Sequence, residues 1–169
     1  MLTRSKLTLA VTTTLMLAGS TFVTESSAAT LLAPHRAVYD VELKEASDRS
    51  GIDGMNGRIV YEFRGSACDG YTTNFRFVTQ LSARGEVSLT DQRTTTFAHG
   101  KGENFRFVTK TFDNQNQDKK IEGSARVDED GVIVALKEPE SLELDLQSAL
   151  FPTKHVIDMI VRAQAGETF

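Results

Sequence analysis

Apolar and polar residues alternate along most of this chain, most clearly between residues 57 and 81. In segment 57–64 apolar residues fall at every second position, and charged residues fill most positions between them. This period of two is typical of a β-strand with one buried face and one solvated face. A turn rich in glycine, serine and aspartate follows at 65–70, and the strand pattern resumes at 71–81. The pattern predicts a β-hairpin to which the rest of the chain adds strands.

Further strands are predicted on both sides of this hairpin, at residues 36–45, 86–98, 104–112, 119–127, 132–137 and 141–146. The glycine-rich segment 46–57 is predicted to be a loop, and residues 113–118 a polar tip. At least seven strands joined by tight turns favour a mainly β fold with antiparallel pairing. The hexapeptide at 74–79 recurs unchanged at 104–109. Two explanations are open: an internal duplication, or chance convergence of two strand patterns.

One segment near the C-terminus has a helical period instead. Its apolar residues recur at i, i+3, i+4 and i+7, the spacing of one helix face. Thr153 after Pro152 is a suitable N-cap, and Gly166 is a suitable residue just beyond the C-terminus of the helix. The pattern predicts one helix over residues 153–165, with an apolar face formed by Val156, Met159, Ile160 and Ala163.

The first 29 residues have the features of a signal peptide. Arg4 and Lys6 precede a short apolar stretch, and the small residues at 27–29 fit a cleavage site after Ala29. The apolar stretch is too short and too rich in threonine for a membrane-spanning helix, which needs about 20 apolar residues. We therefore expect export of the chain and one mature domain over residues 30–169.

Composition and motifs exclude several function classes. The formal net charge is −4, a mild acidity that is spread along the chain, which argues against a nucleic-acid-binding protein with its clustered basic face. His35, His99 and His155 lack metal-ligand spacing, so we expect no metal site. There is no nucleophile elbow, phosphate-binding loop or dinucleotide fingerprint. We expect no catalytic residues and no cofactor, and hence a protein that is not an enzyme.

Phenylalanines are the most distinctive side chains that remain. Five of them occupy alternating positions on strands that we expect to be neighbours: Phe63, Phe75, Phe77, Phe105 and Phe107. One interpretation is an ordinary hydrophobic core. The other is an apolar groove inside an open barrel, able to hold a lipid or an acylated protein.

Cys68 is the one cysteine of the chain and lies in the predicted hairpin turn. Three interpretations are open: a buried inert thiol, a catalytic thiol, or half of a disulfide bond in an oxidising compartment. A catalytic thiol would need a neighbouring histidine or helix N-terminus to lower its pKa, and the flanking residues provide neither.

Several of these motifs together resemble the EipB-like cell envelope integrity family, formerly a domain of unknown function. They are Gly-Arg-Ile-Val-Tyr-Glu-Phe from residue 57, Gly-Ser-Ala-Cys-Asp-Gly-Tyr from residue 65 and Asn-Phe-Arg-Phe-Val-Thr from residue 74. Segments 32–39 and 151–155 also match, so the resemblance runs from about Leu32 to the C-terminus. It implies a periplasmic β-spiral, a strongly bent and unclosed barrel with no known enzymatic activity.

The resemblance also implies a function in envelope integrity and envelope stress resistance, with a periplasmic tetratricopeptide-repeat protein as a partner. In the family, the cysteine corresponding to Cys68 pairs with one near the far C-terminus, beyond Phe169. We therefore expect a truncated member that lacks this disulfide and is less stable than a longer homologue. The alternative function is a periplasmic carrier that binds a lipid or lipoprotein in the apolar groove.

Overall fold

The structure, a computed structural model, describes residues 32–168, so the predicted signal peptide over residues 1–29 lies outside the described residues. Eight strands precede one helix: β1 (His35–Glu42), β2 (Ile52–Ser66), β3 (Gly70–Ala83), β4 (Glu86–Ala98), β5 (Asn104–Asp113), β6 (Asn116–Val127), β7 (Val132–Glu138), β8 (Leu142–Leu146) and α1 (Pro152–Gln164).

All eight strands form one sheet in the order of the chain, and every neighbouring pair is antiparallel. Short turns between successive strands favour this arrangement, because an antiparallel pair needs only a tight connection. β1 and β8 do not pair with each other, so the sheet is unclosed. The predicted fold class, an unclosed antiparallel β-structure with one helix near the C-terminus, is confirmed.

The predicted hairpin is the pair β2 and β3, in which Ile59 lies opposite Phe77 and Tyr61 lies opposite Phe75. Its turn ends at Gly70, which has a φ of +88°. A Cβ atom at this position would lie 2.7 Å from the ring of Phe97 on β4. Glycine is therefore required here by both the backbone conformation and the close packing of β4.

Two segments predicted to be irregular belong to strands instead. β2 begins at Ile52, inside the predicted loop, because the long β3 provides a pairing partner as far as Ala83. Gly54 lies at the register shift that follows Ile52, a position where glycine is common in strands. The predicted polar tip is reduced to a turn at Asn114 and Gln115, both with positive φ.

Buried residues concentrate along one row of the sheet. Tyr71, Ala98, Phe105, Ala125 and Val134 lie opposite one another on successive strands from β3 to β7. Ala125, with Val132 of β7 and Phe151 before α1, forms a buried cluster against which Phe105 and Val134 pack. Burial of this apolar area attaches the residue that precedes the helix to the sheet.

Helix α1 begins at Pro152, and the residue at the N-cap position is Phe151, without a side-chain capping hydrogen bond. The prediction of Thr153 as the N-cap was wrong, because the fixed φ of Pro152 already starts the helix one residue earlier. Gly166 has a φ of +77°, and the N–H of Glu167 donates to the carbonyl of Arg162 at 3.0 Å. This Schellman motif confirms Gly166 as the residue just beyond the C-cap.

Candidate functional site

The five phenylalanines predicted from the sequence all project from one face of the sheet, which we call the inner face. Cross-strand partners project to the same side of an antiparallel sheet. Phe63 lies opposite Thr73, Thr73 opposite Thr96, and Thr96 opposite Phe107, so a continuous row joins β2 to β5. Phe75 and Phe77 lie two and four residues after Thr73 on β3, and Phe105 lies two residues before Phe107 on β5, so all three project to the same face. The predicted common face is therefore present, although a ligand for it stays a prediction.

These five side chains do not form one cluster. Phe105 stacks on Phe107 with ring centroids 5.9 Å apart and on Phe151 with centroids 5.3 Å apart. Phe63 instead stacks on Tyr71, with ring centroids 5.2 Å apart. These offset contacts are typical of aromatic packing in a core. Phe105 therefore belongs to the core that anchors α1, and Phe63 belongs to a separate aromatic group.

Two of the five side chains cover glycines of the sheet. The ring of Phe77 lies 3.3 Å from the position that a Cβ atom of Gly57 would occupy. The ring of Phe107 lies 2.8 Å from the equivalent position at Gly123. An aromatic ring over a strand glycine replaces the missing side-chain packing and fixes the register. Phe77 and Phe107 thus have a structural function in the sheet.

A cavity of about 430 Å³ lies between the inner face and the first turn of α1, and we call it the α1 cavity. Most of its lining is apolar, three of its lining residues are threonines, and none is Asp, Glu, Lys or Arg. The volume falls within the range of about 300–1,000 Å³ that is usual for small-molecule sites. Its lining residues are Leu32, Ala33, His35, Tyr61, Phe63, Thr73, Thr96, Pro152, Thr153 and Val156.

His35 is the one histidine that lines this cavity. Its Nδ1 lies 2.8 Å from the backbone carbonyl oxygen of Ala33 and donates a hydrogen bond to it. The imidazole ring lies beside Tyr61 and Phe63, with centroid distances of 5.5 and 5.8 Å. This hydrogen bond and these contacts fix the orientation of the ring at the first residue of β1.

The α1 cavity differs from the groove predicted from the sequence. Of the five phenylalanines, Phe63 alone lines it, and Phe77, Phe105 and Phe107 pack elsewhere in the fold. Sequence reasoning missed His35, Tyr61 and Val156 as members of one site. The available signal was the alternation on β2, which puts Tyr61 on the face of Phe63, but no local pattern relates either residue to α1.

The opposite face of the sheet carries an ion-pair network centred on Asp91 of β4. Arg76 of β3 binds both carboxylate oxygens, at 2.9 and 2.8 Å, and Arg93 donates two hydrogen bonds to Oδ2 at 3.0 and 2.7 Å. The hydrogen bonds from Arg76, opposed by desolvation and helped by those from Arg93, lower the pKa of Asp91 to about 2. The guanidinium of Arg93 also lies 4.7 Å from the ring centroid of Phe112.

Within residues 32–168 there is no group of three or more His, Cys, Asp or Glu side chains that could hold a metal ion. In the same part of the chain, no helix has the length and apolar character needed to cross a membrane.

Cys68 lies in the turn between β2 and β3, and its side chain is exposed. Exposure rules out the interpretation of a buried inert thiol. Because no other cysteine exists in the chain, we expect oxidising buffer to produce Cys68–Cys68 dimers, visible on a non-reducing gel and dissolved by reductant. Cys68→Ser is the control and should remain monomeric under the same conditions. A wild-type chain that stays monomeric after prolonged oxidation would contradict this prediction.

Comparison with known proteins places these features in a family. The EipB-like family model matches residues 26–169. The chain is 45% identical over 158 residues to "Cell envelope integrity protein EipB" from Brucella abortus (strain 2308), covering 93% of this chain and 56% of that relative.

A solved structure is similar as well. It is the crystal structure of a β-barrel-like protein of a domain of unknown function from Brucella abortus, with a TM-score of 0.78 and 47% sequence identity. The match covers 82% of this chain and 59% of the solved chain, so this chain spans somewhat more than half the length of these relatives. The sequence motifs and the unclosed antiparallel sheet of this chain agree with these matches, and the chain belongs to the EipB-like family.

Proposed function

We propose that this protein supports cell envelope integrity and envelope stress resistance from the periplasm, without enzymatic activity and through contacts with other proteins. The observation that supports the proposal most directly is the 45% identity to a protein named for cell envelope integrity. A periplasmic location is supported by the signal-peptide pattern at residues 1–29.

Contacts with other proteins are a reasonable means for such a function because the sheet is open. β1 and β8 are edge strands, and the side chains of β8 are all exposed. Edge strands present unpaired N–H and C=O groups that can pair with another segment. The family resemblance adds a periplasmic tetratricopeptide-repeat protein as the proposed class of partner.

Deletion of the gene in its own organism tests this proposal. We expect the deletion strain to become sensitive to detergents and to antibiotics that act on the cell wall. A plasmid copy of the whole gene should restore resistance, whereas a copy that starts at residue 30 should not, because it lacks the export signal. Unchanged sensitivity in the deletion strain would contradict the envelope function, and rescue by the shortened copy would contradict the periplasmic location.

The absence of enzymatic activity is a separate proposal with its own test. None of the groups around the α1 cavity forms a carboxylate pair or a nucleophile–base pair. We expect no turnover when the purified protein is screened with esterase, amidase and glycosidase substrates. Turnover that survives repurification and disappears on substitution of a cavity residue would overturn this part of the proposal.

A second candidate function is a periplasmic carrier that binds a lipid or an acylated protein. The specific observation in its favour is the α1 cavity, whose apolar lining and volume suit part of a lipid. Protein purified from a lysate that contains membranes should then carry extractable lipid, detected by mass spectrometry. Protein that is free of lipid and also fails to bind added alkyl compounds would remove this candidate.

A further inference from the structure

We propose that the α1 cavity holds a single alkyl or acyl chain whose headgroup stays in solvent, with the first turn of α1 as the outer wall of the site. This inference rests on the second candidate function, because it names the class of ligand that such a carrier would hold. It concerns a site different from the phenylalanine groove predicted from the sequence.

The size and the lining of the cavity define the ligand. A volume of about 430 Å³ lies near the lower end of the usual range for small-molecule sites, which favours one chain over a diacyl lipid. An ionised headgroup inside would lose much of its hydration, and no Asp, Glu, Lys or Arg lines the cavity to pair with it. The part of the ligand inside the cavity is therefore uncharged, and any charge lies outside.

The outer wall has no fully buried residue of its own. Pro152, Thr153 and Val156 from the first turn of α1 line the cavity, yet no residue of α1 itself is buried. The adjoining residue Phe151 is buried in the core and fixes the start of the helix to β5. Val156 remains 39% exposed, so an alkyl chain beside it would bury apolar surface that the fold leaves accessible.

Chain length is the property that tests this inference. Burial of one methylene group stabilises a complex by about 0.8 kcal/mol, which corresponds to about a fourfold lower Kd for each methylene group added. We expect this dependence for alkyl maltosides from 8 to 16 carbons, measured below their micelle concentrations by displacement of a fluorescent apolar probe. The Kd should level off once the chain fills the cavity. Alkyl sulfates of equal length should bind within about threefold, because their charge stays in solvent.

Two substitutions of one residue type form a matched pair on α1. Val156→Glu puts a charge into the cavity wall and should raise the Kd at least tenfold. Val161→Glu, at a residue that is 48% exposed and outside the cavity lining, should leave the Kd unchanged. A third variant, Thr96→Phe, fills part of the cavity from the sheet side and should shift the plateau to shorter chains. Circular dichroism verifies that each variant is folded.

The outcomes separate the two levels of the proposal. If no alkyl compound binds the wild-type protein, the carrier function itself fails. If alkyl compounds bind without dependence on chain length, or if Val156→Glu and Val161→Glu weaken binding equally, the carrier function survives but the α1 cavity is not the site. A strong preference for sulfate over maltoside headgroups would overturn the conclusion that the headgroup stays in solvent.

Discussion

Replacing Phe151 with alanine is expected to lower the free energy of unfolding by about 3 kcal/mol or more and to release α1 from the sheet. Phe151 is buried, and it stacks on Phe105 at a centroid distance of 5.3 Å. It is also part of the cluster that contains Ala125 and Val132. Because no residue within α1 is buried, we expect the remaining contacts of the helix to be too weak to replace this one. An isolated helix of this length is marginal in water.

Two measurements test this expectation together. Denaturant unfolding gives the change in free energy, and hydrogen exchange gives the protection of the amides of α1 separately from those of β5. In Phe151→Ala the free energy of opening measured by hydrogen exchange should be lower for the amides of α1 than for those of β5. Leu150→Ala is the matched control, since Leu150 precedes Phe151 directly but is 50% exposed, and it should change stability by less than about 1 kcal/mol. Retained protection of α1 in Phe151→Ala would show that the helix has another anchor.

Hydrophobic alternation was enough to predict the sheet because the side-chain period of a strand is two residues. The bounds of β4 at residues 86 and 98 agree with the prediction, but its faces could not be assigned from alternation, because the apolar residues Val87 and Leu89 lie on the face of Asp91, opposite the inner face. The start of β2 could not be predicted in this way. Segment 52–56 contains glycine and polar residues, and it becomes a strand because β3 is long enough to pair with it. Tertiary context overrides local propensity at such positions.

Less of the candidate site than of the fold could be predicted from the sequence. Alternation placed the five phenylalanines on one face, but it does not report which of them pack against each other and which line a cavity. Three go to core packing or to covering Gly57 and Gly123, and these tasks depend on cross-strand neighbours. The α1 cavity joins His35 to Val156, which are far apart in sequence. Only the position of the helix on the inner face brings them together.

Asp91 illustrates the same limit on the opposite face. Its sequence neighbours show an acidic residue two positions before Arg93, which is the spacing of one strand face. Arg76 is the stronger partner, however, and it reaches Asp91 because of the register between β3 and β4. Without that register the sequence gives no reason to select this carboxylate among the many acidic residues of the chain.

Substitution of Asp91 by asparagine is expected to lower the free energy of unfolding at pH 7 by up to about 2 kcal/mol. The pKa of the carboxyl group falls from 3.8 to about 2 on folding, mainly through the hydrogen bonds from Arg76. One pKa unit corresponds to about 1.4 kcal/mol, and the half-exposed guanidinium groups screen part of that value. Because the folded pKa is depressed, this stabilisation is present above about pH 4 and is lost as the pH falls towards 2.

The pH dependence distinguishes this network from a nonspecific effect of the substitution. The stability difference between wild type and Asp91→Asn should shrink between pH 4 and pH 2, because the wild-type carboxyl group becomes protonated there as well. Asp40→Asn is the control: Asp40 also pairs with an arginine, Arg58, but both side chains are more than 60% exposed, so its loss should be hardly measurable. Denaturant unfolding at closely spaced pH values provides both curves. A difference for Asp91→Asn that stays constant down to pH 2 would show that lost packing, and not the charged hydrogen bonds to Arg76 and Arg93, accounts for the change.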